Sequence, residues 1–100
     1  MRRLLAALAL SLSAASPALA QGNGAEAIAE QQQLMQNLLN NAIVAIENNN
    51  QPQACALRRQ AAGILSANFQ AFEAVYPANN WSDLQTSLQG SLNSCAAKGY

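Results

Sequence analysis

The chain has no histidine, and charged residues make up only 10% of its 100 positions. Without histidine, a serine or cysteine nucleophile lacks its usual base. The carboxylates are scattered, with Glu26 and Glu30 the one spaced pair. That pair is explained by solubility and by the positive end of a helix. Soft metal ligands are scarce too, because Cys55 and Cys95 are the only cysteines. These shortages point away from an enzyme, a metal protein or a cofactor protein; no catalytic residue is assigned, and no cofactor or metal is expected. The five cations are matched by five acids, too few to neutralise phosphates, so nucleic acid is not an expected partner.

The first apolar run is short. Arg2-Arg3 is followed by Leu4 to Leu10, and the segment closes with Ser16-Pro17-Ala18-Leu19-Ala20. Two cations, an apolar stretch and small residues before a cleavage point are the pattern of a secretory signal peptide, too short for an anchor. The expected division is a signal over 1–20, a flexible leader over 21–25 and a single helical domain over 26–100. Cleavage after Ala20 would leave three cations against five carboxylates, a net charge of −2. Export into an oxidising compartment would pair Cys55 with Cys95. Closing that loop is worth on the order of 4 kcal/mol in the chain-entropy model. A secreted protein of the bacterial periplasm is the expected setting, with no membrane span left after cleavage.

Beyond residue 20 the Leu, Ile, Val and Phe residues number only 16, whereas Asn and Gln number 22. A core this thin benefits from a staple. The apolar residues nevertheless keep helical time. Ile28, Met35, Leu38, Leu39, Ala42, Ile43 and Ile46 fall within an arc of about 140°, which predicts a helix over about 26–49. Gln31 and Gln32 interrupt the arc, so firm packing is expected only in its second half. Asn48-Asn49-Asn50-Gln51 is the stop, and Pro52 suits the first turn of a second helix. Leu57, Ala61, Ile64, Leu65, Phe69, Phe72, Val75 and Tyr76 form the second stripe, ended by Pro77. Asn80 is a candidate N-cap, with Ser82 and Gln85 an alternative capping box. Trp81, Leu84, Leu88, Leu92 and Cys95 form the third stripe, and Lys98-Gly99 is a stop.

The fold class expected is all-α: a small antiparallel three-helix bundle, its hairpin over 52–97 clamped by Cys55–Cys95. The cysteines fall about 6 Å out of register about the second turn, which an earlier loop start would absorb. The first helix is the loosest element, able to swing away or to swap into a dimer. A monomer and a helix-swapped dimer are both open.

Several side chains are candidates for binding a partner or ligand. Asn68 projects into the middle of the second stripe, where unpaired burial would cost on the order of 1–3 kcal/mol. It reads as a hydrogen-bonded core amide, a groove residue or a dimer-seam residue. Tyr76 and Trp81 flank a turn, as a core lid or as an exposed anchor. Arg58-Arg59 is the one cationic cluster, expected to pair with Glu47 or to anchor a partner's carboxylate. The amides keep to the polar helix faces and form a neutral solvating surface. The leading functional expectation is a non-enzymatic exported protein that binds a partner protein. One alternative is a carrier of a small apolar ligand in a groove near Phe69, Phe72 and Trp81. The other is a stress-related periplasmic holdase.

Overall fold

A computed structural model describes residues 24–100. The signal-peptide reading of 1–20 and leader residues 21–23 lie outside the described residues. Three helices follow in order: α1 (Gly24–Glu47), α2 (Gln51–Val75) and α3 (Trp81–Ala97). Gly24 and Ala25, expected in the leader, already belong to α1.

Local chemistry sets the helix ends. The Asn50 N–H donates to the carbonyl of Ala45 (2.8 Å) and the Asn49 N–H to that of Ile46 (2.9 Å). With Asn49 left-handed at φ 60, this is a Schellman motif with asparagine in the position glycine usually takes. Asn50 then caps α2, its Oδ1 accepting the Gln53 N–H at 3.2 Å, so one turn of three asparagines ends one helix and starts the next. The Asn80 Oδ1 likewise accepts the Asp83 N–H at 3.0 Å, and the alternative Ser82 cap is not used. At the end of α3 the Tyr100 N–H donates to Cys95 and the Gly99 N–H to Ala96. Gly99 at φ +82 completes a second Schellman motif.

The middle helix α2 packs against both others, while no Cα of α1 comes within 8 Å of a Cα of α3. Near the first turn, α1 and α2 meet on Ala42, Ala45 and Ala54, all buried, with Ile46 and Leu57 alongside. Small side chains allow that close approach. Farther along, the core is Met35, Ala61, Leu65, Phe72, Trp81 and Leu88, with Ile28 half-buried against it. Thus α1 lies along α2 of its own chain, and firm burial begins at Met35, near where its second half was expected to start.

Two stripe residues are more open than their helical angle implied. Ile43 is 54% exposed and Val75 41% exposed. Ile43 sits at the edge of its arc, and a helix with one neighbour covers a narrower arc than one with two. The cysteines are joined as a disulfide with Cα atoms 6.1 Å apart, at the open end of the α2–α3 hairpin. The helix α2 keeps its length to Val75 and bends at Asn68, whose φ −118 and ψ 15 are not helical.

Candidate functional site

Asn68 bends α2 through its own side chain. Its Nδ2 donates to the carbonyl of Ile64 at 2.9 Å. That carbonyl is the partner the Asn68 backbone N–H would use in a regular helix, so the side chain competes with the ladder. The amide is half-buried and satisfied within its own helix.

The aromatic candidates separate into core and surface. Phe72 is fully buried and Trp81 only 4% exposed. Their rings lie 4.9 Å apart at a 31° tilt, and Tyr76 lies 6.1 Å from Trp81. The indole Nε1 donates to the Tyr76 carbonyl at 3.0 Å, which closes the turn over the core. Trp81 is therefore a lid. Phe72 and Trp81 offer a ligand or partner almost no surface, so these two do not form a groove with Phe69. Tyr76 and Phe69 are half-buried and keep some.

Arg59 does not pair with Glu47. Its guanidinium donates to the main-chain oxygen of Tyr100, across the disulfide end of the hairpin. Chain connectivity puts the arginines near Glu47, but the hairpin clamp puts the end of α3 nearer. Arg58 is half-buried at the same end.

A hollow of about 520 Å³ runs between α2 and α3. Leu65, Leu88 and Ala62 form its apolar part; Ser66, Gln85, Thr86, Gln89 and Asn93 form its polar part. A second hollow of about 530 Å³ shares Ser66 and Gln85 and extends to Phe69 and Gln70. Together they make one groove with no charged side chain in its lining. On α3, Gln85, Gln89 and Asn93 are spaced by four and so form one ridge. The Gln89 Nε2 donates to the Asn93 Oδ1 at 3.0 Å, which fixes part of that ridge. Gly90 also lines the groove, and a Cβ built there would meet nothing within 4 Å.

Of the partner or ligand contacts expected from the sequence, only Phe69 lines this groove. The ridge of amides was visible as a repeat of four in α3, but it reads as solvation until α2 is placed beside it. Comparison with protein-family models, curated proteins and solved structures finds no match to this chain. Fold and groove define a class: a small all-α three-helix protein, stapled by one disulfide, with an uncharged amide-rimmed groove. Among the described residues no helix is long and apolar enough to cross a membrane.

Proposed function

We propose that the chain is a small exported binding module, not an enzyme, whose α2–α3 groove takes an uncharged segment of a partner protein. The supporting observation is the groove's lining: half-buried Ala62 and Phe69, over the buried Leu65 and Leu88, beside a row of amides and hydroxyls. The open faces of Ala62 and Phe69 accept apolar side chains, and the amides supply donors and acceptors for a partner's backbone or polar groups. A small apolar ligand is less well served. Such ligands are held in mostly apolar concavities, whereas Phe72 and Trp81 are spent on the core. Export to the periplasm rests on the charge and apolar pattern of residues 2–20 and on the paired cysteines.

The test is a photo-crosslinking residue placed at Gln89 in the groove or at exposed Asn40 on α1, in the exported protein. The expected result is a discrete adduct from Gln89 and none from Asn40. Equal adducts from both positions, or none from Gln89, would remove the groove from consideration. N-terminal sequencing of the exported protein tests the compartment separately, with Gln21 as the expected first residue.

A further inference from the structure

All three cations among the described residues gather at one end of the molecule. Arg58 and Arg59 lie in the third turn of α2, and Lys98 is the C-cap of α3. The Cys55–Cys95 bridge holds those helix ends together. Glu73 and Asp83 stand on either side of the turn at the far end, and Glu26 and Glu30 begin α1, which antiparallel packing brings to that same end. Arg58 and Glu73 lie 15 residues apart along α2, as do Asp83 and Lys98 along α3, about 22 Å at 1.5 Å per residue and about two screening lengths at 0.1 M salt. The distant carboxylates therefore do not neutralise the cations. Exposed Glu47 is nearer. Even with Glu47 and a full negative charge on the Tyr100 main-chain oxygen counted, three cations outnumber the acids at this end.

A cavity of about 120 Å³ opens among these groups, lined by Gln51, Arg58, Ser91, Ser94, Lys98 and Tyr100 above the disulfide. No acidic side chain lines it. Arg59 is turned to the Tyr100 main-chain oxygen, which leaves Arg58 and Lys98 as the cations lining the space, with two hydroxyls and an amide as further donors. Its volume is about four times the ~30 Å³ share of one water molecule, room for a small oxyanion.

We propose that this cavity is a binding site for a small oxyanion group, a phosphate or a carboxylate, held by Arg58 and Lys98 with Ser91 and Ser94. The site is independent of the α2–α3 groove and does not rest on the partner-binding reading. Because its donors come from both α2 and α3, a bound anion joins the same helix ends that the disulfide joins. It therefore stabilises the folded state by mass action.

The experiment is thermal unfolding and calorimetric titration of the oxidised chain in phosphate, acetate and chloride at equal ionic strength. Wild type is compared with Arg58→Gln and Lys98→Gln. Phosphate stabilises many proteins without binding, through exclusion from their surface, and that background persists in the variants. The expected result is a rise of about 5 °C or more in wild type at saturating phosphate or acetate, over chloride. Either substitution should abolish that excess and weaken binding at least about tenfold. The stronger of the two probes assigns the group as tetrahedral or planar. Equal responses in wild type and both variants, or no response beyond chloride, overturn the proposal. Should half-buried Arg58→Gln fail to fold by circular dichroism, the exposed Lys98→Gln decides alone.

Discussion

Replacing Trp81 separates a lid from an anchor. The indole is 4% exposed, lies 4.9 Å from Phe72 and donates to the Tyr76 carbonyl. Trp81→Phe keeps most of the packing and deletes the N–H. The Tyr76 carbonyl is not orphaned, because the Asn79 N–H also reaches it at 3.2 Å. The hydrogen-bond loss therefore falls near 1 kcal/mol, below the full penalty for a buried unpaired group. With the smaller ring added, the expected cost of Trp81→Phe is about 1–2 kcal/mol. Trp81→Ala empties the site between α2 and α3 and should cost about 3–5 kcal/mol. A core of this size supplies roughly 3–5 kcal/mol in total. Trp81→Ala should accordingly stay folded only while the disulfide is intact. The assay is urea unfolding followed by circular dichroism at 222 nm, with and without a reductant, since the single tryptophan cannot serve as the probe in its own variants. Destabilisation by Trp81→Ala of less than about 1 kcal/mol would refute the lid. Folded Trp81→Phe should also bind any groove partner as wild type does, and a large loss of binding without loss of stability would restore Trp81 as an anchor.

Other perturbations test the remaining joints. Cys55→Ala with Cys95→Ala should lower stability by about 2–4 kcal/mol in urea titration, and an unchanged midpoint would deny the clamp. Gly90→Ala should raise the Tm, because a Cβ meets nothing there and alanine favours the helix by up to about 1 kcal/mol; Gly99→Ala should lower it, because φ +82 strains any side chain. Asn50→Ala should cost about 1 kcal/mol as the lost cap of α2, whereas Asn49→Gly should leave the Tm unchanged or raise it, since φ 60 suits glycine better. Partner binding through the groove should change little between 0.05 and 0.5 M salt, because no charged side chain lines it; a steep salt dependence measured by titration would point to another surface.

What could be read from the sequence was the chemistry that acts within a turn or two. Asn50, Asn80 and Gly99 cap helices by hydrogen bonds to residues three to five positions away, and such bonds depend on local order alone. The apolar period placed all three helices for a similar reason, since the angle about an axis follows from residue number. It does not report how many neighbours a helix has. Ile43 had a suitable angle and is 54% exposed because α1 has one neighbour, whereas Val75, the last residue of α2, is 41% exposed although α2 has two. Asn68 shows the same limit from the other side. Its placement on the buried stripe was legible, but the choice among core bond, groove and seam depended on a competition with its own helix ladder. The side chain won at Ile64 and bent α2. Arg59 bonds Tyr100, beside which the bridge between residues 40 apart holds the end of α3. The groove belongs to this group as well. Gln85, Gln89 and Asn93 form a row in the sequence, yet a row becomes a wall only when Leu65 and Ser66 of the bent α2 stand opposite it. The bridge, which is non-local, and the bend, which a bond within one helix makes, are thus the two features on which both candidate surfaces depend. A variant that straightens α2 should disturb the groove and the disulfide end together, while one that removes a cap should weaken the fold and leave the shape of both surfaces intact.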